Sequence, residues 1–406
     1  MPLDRRTQAF GPTPDPDPPT VSLRRPRLVG VDVARGVALL GMLAVHVLPD
    51  FTRNGVPTAT TMIAGGRSAA TFVLVAGVGL AFVSGGRTVV RGAERIGVSA
   101  GIAVRAVLIG TLGLFLGLLS EYNEIAGILP YYGLFFLLAI PLLGLTPRGL
   151  AAVATAVVVL GPVLLLGAAG LDGLDLDGDP TPGTLLEDPT GVFALLTVTG
   201  DYPALVYLAY LVTGLAIGRL DLGSRRVAWS LFGAGTALAV LARLASIVLL
   251  YPLGGLAELT SQLDSDDTAA QVARTLFWDP DPSSSWWYLA LPAPHSHSTV
   301  DVLHTLGSAV AVLGAALLLS RIPLLTRLLE PVAAAGSMAL TLYSAHLVLL
   351  ATGLLEDTPR VLYVLMVIGA LTFAHFWRRR VGAGPLERVV SRAAAVARQA
   401  GTRLAA

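Results

Sequence analysis

Residues 27–50 read RLVGVDVARGVALLGMLAVHVLPD, and this stretch decides the fold. From Leu28 to Leu48 it is predominantly apolar for about twenty residues, the length an α-helix needs to cross the hydrocarbon core of a bilayer. Three ionisable side chains interrupt it. Asp32 and Arg35 are three apart and share a helix face. His46 follows 11 residues after Arg35, roughly 16 Å along a helix axis, just before Pro49 and Asp50. An ionisable group inside a membrane helix costs several kcal/mol unless it faces protein or water, so each is a candidate site residue. One helix thus offers charge near one membrane face and, near the other, an imidazole suited to proton transfer around neutral pH.

The rest of the chain extends this pattern. Of 406 residues, 54% are hydrophobic and 14% charged, with a mean hydropathy of +0.71, whereas soluble domains carry about 25% charged residues. The expected fold class is therefore all-α, a polytopic membrane protein. Ten stretches approach spanning length: 28–48, 68–84, 98–119, 130–146, 148–170, 203–219, 227–250, 301–320, 332–355 and 359–377. All 28 basic residues are Arg. Their clusters at 24–27, 87–95, 148, 219–226, 321–327 and 378–403 fall on one side under ten crossings, which the positive-inside rule makes the cytoplasm. Both termini are then cytoplasmic: a Pro-rich disordered tail over 1–27, a helical bundle over 28–377, and a basic tail over 378–406. The tail at 1–27 is not a cleavable signal, since no small-residue cleavage site closes the apolar run after it. The long outer loops are 171–202, with seven acidic and no basic residues, and 251–300. The Asp spacing of 171–191 suggests a calcium loop but lacks the closing Glu of an EF-hand, leaving a solvated acidic loop. Net charge +1 gives no reason to expect nucleic acid, and the absence of Cys removes disulfides and thiol catalysis.

Further polar residues mark the helices. Arg67 opens the second stretch, Arg105 lies within the third, Glu124 precedes the fourth, and Arg243 interrupts the seventh. Each has a bland reading: an interface marker, an arginine snorkelling to water, a solvated carboxylate, or a partner for an outer-loop acid. PAPHSHSTVDVLHT brings His295, His297 and His304 close in sequence. A His-x-His pair can offer two metal ligands, yet no specific third ligand accompanies it, so no metal is expected. Trp286, Trp287 and Tyr288 form either an interfacial belt or a lid. His346 shares a rough helix face with Tyr343, as a packing hydrogen bond or as a cavity wall.

RLVGVDVARGVALLGMLAVH, GILPYYGLFFLLAIPLL, DYPALVYLAYLVTGLAIGRLDL, PHSHSTVDVLHTLGSAVAVLG, GSMALTLYSAHLVLL and GPLERVV together resemble the YeiB-like bacterial membrane proteins. That family is related to the heparan-alpha-glucosaminide N-acetyltransferase group and more distantly to the acyltransferase-3 membrane family. The resemblance covers nearly all of 27–390. It implies a bundle of about ten helices in the bacterial cytoplasmic membrane and transfer of an acyl group, such as acetyl, from cytoplasmic acyl-CoA to an acceptor on the far side. The partners implied are the lipid bilayer and an envelope saccharide or glycolipid acceptor; a homo-oligomer stays open. Asp32, Arg35 and Gly36 match the inner-end signature of the transferase group, and His46 sits where acyltransferase-3 proteins close the first helix with a histidine. The lysosomal enzyme instead uses a histidine in the loop before the next helix, and residues 49–67 contain none.

On this reading Asp32, Arg35 and Arg105 bind the donor, His46 is the general base, and Arg67 stabilises the oxyanion. Glu124, His295 and His346 complete the catalytic candidates, the two histidines as alternative bases. Two other classes use the same residues differently. A proton-coupled transporter or flippase would make His46 and His346 proton carriers, and a scaffold for envelope assembly would tolerate neutral substitution at every one of these positions.

Overall fold

The 27–50 stretch forms helix α1, Val29–Val47, as its unbroken apolar run dictates. The structure is a computed structural model describing residues 28–120, 125–169, 178–261, 263, 268–278 and 285–406; the Pro-rich segment 1–27 and Glu124 lie outside them. After a short helix α2, Ala59–Ala64, come α3 (Arg67–Val83), α4 (Gly92–Gly117), α5 (Leu129–Ala139) and α6 (Pro147–Ala168). Then follow α7 (Pro189–Ala194), α8 (Ala204–Gly218), α9 (Arg225–Leu250), α10 (Thr299–Leu319), α11 (Glu330–Gly336), α12 (Ala339–Leu350), α13 (Pro359–Arg380) and α14 (Pro385–Leu404). Among the described residues there is no strand, only an isolated bridge between Phe51 and Pro57.

Among the described residues, seven helices are long and apolar enough to cross a membrane, and nine spans result if each of two bent pairs counts as one. One pair joins Pro189–Thr199 to Ala204–Gly218 with a 61° bend; the other joins Glu330–Gly336 to Ala339–Leu350 with an 81° bend. The segment expected to span at 130–146 is shorter. Pro141 lacks an N–H and its ring clashes with the preceding turn, so α5 stops at Ala139 and a 3-10 turn follows over Pro141–Gly144. Eleven helical residues rise only about 16 Å.

Packing order follows burial. α1 is lined by α3, α10, α11 and α13, and α3 also packs on α8 and α10. At the α3–α8 crossing the backbones touch: a side chain at Gly77 would collide with the Leu211 carbonyl, and one at Gly214 with the Leu74 carbonyl. Small residues let membrane helices approach this closely where no hydrophobic drive separates protein from lipid. The outer helices invert the soluble pattern. Val240, Leu241, Leu244 and Val248 of α9 and Val361, Val364, Leu365 and Ile368 of α13 are exposed, as a lipid-facing surface requires. The chain is a multi-pass, all-helical membrane protein. Its Arg-rich end, read as a tail, forms α14, which lies along α4 with Gly97 facing Arg398 and Thr402.

Candidate functional site

α1 carries its two polar groups to opposite ends of the bundle. At one end, Asp32 Oδ1 is 3.6 Å from Arg35 Nη1, and the same Nη1 donates to the Gly336 carbonyl at 3.4 Å. Gly336 ends α11, and its lack of a side chain lets it sit against the Asp32 carbonyl and the Gly36 amide. Arg35 is thereby held from two sides. Arg105 of α4 faces it closely enough for the two positive charges to interact, and its guanidinium makes no hydrogen bond or ion pair among the described residues. Buried beside them, the Tyr132 hydroxyl has no hydrogen-bond partner among the described residues and feels the charge of Arg35. Two guanidiniums, one carboxylate and an unpaired hydroxyl suit an anionic ligand better than they suit one another.

At the other end, His46 Nδ1 lies 2.8 Å from His346 Nε2, with the two rings stacked 5.1 Å apart. His346 Nδ1 meets the Tyr343 carbonyl. A carbonyl only accepts, so in the neutral pair His346 carries its proton on Nδ1 and offers the Nε2 lone pair. His46 then donates from Nδ1, and its own Nε2 is left as a bare lone pair. The chain from the Tyr343 carbonyl through His346 to His46 has the logic of a base oriented by a second group. The Tyr343 hydroxyl accepts the Ile128 N–H at 3.2 Å, fixing the ring that packs edge-on against both imidazoles. The start of α12 is fixed as well. Glu387 of α14 accepts the Thr341 N–H at 3.0 Å and the Thr341 hydroxyl at 2.6 Å, a carboxylate at a helix N-terminus.

His295 stands close enough to His46 for their charges to interact. It lies in a loop with two left-handed non-glycine residues, His295 (φ 61°) and His297 (φ 55°), which is uncommon backbone for an L side chain. The loop is held down by Tyr288, whose hydroxyl donates to the Ser296 carbonyl at 2.6 Å, while Trp286 is exposed. The His295 ring abuts Tyr202, and its buried Nδ1 has no partner among the described residues. The rings of His295 and His297 stand edge to face, and among the described residues no third ligand makes them a metal site.

His297 Nε2 donates to the Asp201 carbonyl at 3.1 Å, while burial, and then neighbouring His295, pull its pKa down to about 3. The unfolded imidazole titrates near 6.5, so below that value the unfolded chain binds more protons. His297 therefore contributes stability that is complete above about pH 6.5 and is lost as pH falls toward about 3. The melting temperature should drop between about pH 7 and pH 4. His297→Asn, which keeps a donor and tolerates the left-handed backbone, should flatten that slope in a thermal unfolding series. An unchanged slope would remove His297 from the acid response.

Arg67 of α3 turns to His304 of α10. Its Nε and one terminal nitrogen reach His304 Nε2 at 3.1 and 2.8 Å, and Nη1 donates to the Gly65 carbonyl at 3.0 Å. Sequence reasoning set His304 beside the other loop histidines and missed that it holds Arg67, a pairing 237 residues apart with no spacing signal. In the acidic loop, Asp179 is partly buried: its carboxylate accepts the Gly127 N–H at 3.0 Å, and burial pushes its pKa up to about 6. Its neighbours Asp172, Asp175 and Asp177 lie outside the described residues. The structure thus brings Asp32, Arg35 and Arg105 together at one end, and His46, His346 and His295 at the other, with Arg67 beside the histidine loop.

Residues 27–251 match the family described as "Heparan-alpha-glucosaminide N-acetyltransferase, catalytic". Residues 282–397 match one described as "Protein of unknown function (DUF418)". No curated protein matches the chain.

Proposed function

The chain belongs to the heparan-alpha-glucosaminide N-acetyltransferase family, and from that premise we propose that it moves an acyl group, acetyl in the simplest case, from cytoplasmic acyl-CoA to an envelope saccharide or glycolipid across the membrane. The two matches bear out the likeness to YeiB-like proteins seen in the sequence. The observation that carries the proposal is the His46–His346 pair, a base with a fixed tautomer at the opposite end of α1 from a cationic cluster. The acceptor hydroxyl or amine attacks the thioester carbonyl while His46 Nε2 takes its proton. The C–S bond then breaks, and the imidazolium returns that proton to the departing thiolate. His346 Nε2, accepting from His46 Nδ1, stabilises the charge on His46 between the two steps. With no Cys in the chain, no acyl-cysteine forms.

Arg35 and Arg105 would receive the phosphates of the donor, since charge-assisted bonds from guanidinium to phosphate are strong and often bidentate. Arg105→Gln should weaken acyl-CoA binding roughly 10- to 100-fold, the value of one or two hydrogen bonds to a charged group. It should cost little stability, because Arg105 is bound to no described residue. Arg35→Gln should weaken binding too, but it also removes the Arg35 contacts to Asp32 and to the Gly336 carbonyl and should lower the melting temperature. Calorimetric titration of the purified variants with acetyl-CoA separates these effects, and wild-type affinity in both would remove them from the donor site.

On this reading the Arg clusters place both termini in the cytoplasm, with ten passes in which α5 and the 3-10 turn Pro141–Gly144 together make one and each bent pair makes another. A protease site in 182–187 should then be cut only from outside intact cells, and one placed after Leu404 only from inside. Cleavage of both from the same side would overturn this topology and, with it, the direction of transfer.

A further inference from the structure

Arg243 is an arginine inside a membrane helix that the transfer mechanism does not use. It lies on α9, four residues after Ala239, and so on the same helix face. Ala239 is fixed against α10, because its carbonyl meets His304 Nδ1 at 2.9 Å. Since that carbonyl accepts, His304 carries its proton on Nδ1, and its Nε2 lone pair receives the Arg67 guanidinium. His304 is therefore a spacer that ties α3 to α9. It brings Arg67 and Arg243 close enough for their positive charges to interact, with Asp301 the carboxylate that acts on Arg67. Of the five N–H groups of Arg67, three are engaged by His304 and Gly65, leaving two. Arg243 makes no hydrogen bond or ion pair among the described residues. Two guanidiniums whose charges interact in a membrane protein repel each other, and an anion between them offsets that repulsion. The pair also lies near the histidine loop. Gly66, next to Arg67, packs beside the backbone of Pro294 and His295, and His295 adjoins His46.

We propose that Arg67 and Arg243, spaced by His304, form a subsite for an anionic group, a phosphate or carboxylate, on the acyl acceptor. This deepens the acyl-transfer reading and rests on it. The acceptor is then an acidic saccharide or phosphorylated glycolipid whose charge is held by the arginine pair while its nucleophile faces His46. Arg67 supplies anchoring rather than an oxyanion contact.

The test uses the full chain in phosphatidylcholine nanodiscs, titrated with glucosamine 6-phosphate and with glucosamine. The phosphorylated sugar should bind at least tenfold more tightly. Arg243→Gln should remove that preference, whereas Arg243→Lys should keep part of it, as a point charge would. His46→Gln should leave binding intact while transfer from labelled acetyl-CoA collapses. Equal affinity for the two sugars, or an unchanged preference in a folded Arg243→Gln protein, overturns the subsite. If 30% phosphatidylglycerol in the disc competes with the sugar phosphate in the parent protein but not in Arg243→Gln, the occupant is a lipid headgroup and the acceptor subsite is likewise overturned. If the preference depends on Arg243 while His46→Gln transfers at the parent rate, the subsite stands and the base assignment fails.

Discussion

His46→Gln is expected to lower acyl transfer by about 10²–10⁴, the usual contribution of a positioned general base. Glutamine fills a similar volume and keeps a donor toward His346 Nε2, but it cannot take up a proton. The loss should fall on kcat, because the proposed site for the donor's phosphates is at the Arg35 end, roughly 16 Å away along α1. His346→Gln should cost less, since His46 survives and loses only the group that fixes its tautomer. His295→Gln should cost least, because its interaction with His46 is one of charge proximity rather than a hydrogen bond. The ordering is the informative result, read from transfer rates of folded variants at saturating acyl-CoA. A His295→Gln protein that is inactive beside an active His46→Gln protein would move the base to the histidine loop.

Gly214→Val should prevent the bundle from assembling. Any Cβ at Gly214 falls inside the Leu74 carbonyl of α3, and Gly77 opposes the Leu211 carbonyl reciprocally, so neither backbone has a flexible side chain to yield. α3 cannot retreat, because α1 and α10 bury its other faces. Overpacking a fitted interface commonly costs about 1–3 kcal/mol, and a β-branched residue against main chain stands at the upper end or beyond. The expected readout is loss of the monodisperse peak in detergent size-exclusion chromatography, with Gly214→Ala intermediate. A Gly214→Val protein with parental yield and melting temperature would show that the α3–α8 contact is not needed for assembly. These two variants should separate the roles of fold and site: His46→Gln is expected to keep the protein and lose the chemistry, and Gly214→Val to lose the protein.

Where a feature depends on a continuous stretch of sequence, it could be read directly. The α1 boundaries differ from the expected 28–48 by a single residue at each end, because hydropathy and length alone set them. α5 fell short of its expected span because the hydropathy of 130–146 hides what Pro141 does to the backbone. The docking of α14 was hidden for a different reason. Its arginines dominate its composition, while the small buried side that meets α4, at Ala394 and Gly401, carries little hydropathy. Within the site, single residues were visible as polar interruptions, but pairings were not. His46 meets His346 across 300 residues, and no periodicity reports a contact of that range. Arg67 was visible as a helix-opening charge; its engagement with His304 was not.

Sided proteoliposomes test the central claim most directly. The full chain is reconstituted in one orientation, as read from protease access to a site after Leu404. Labelled acetyl-CoA is supplied on the side of that site, and an amino-sugar acceptor only on the other. Label should appear on the acceptor across the bilayer, with the parent protein and not with His46→Gln, and should not appear when donor and acceptor exchange sides. Label transferred equally from either side, or transferred undiminished by His46→Gln, would contradict a transmembrane acyl transfer driven by the His46–His346 pair.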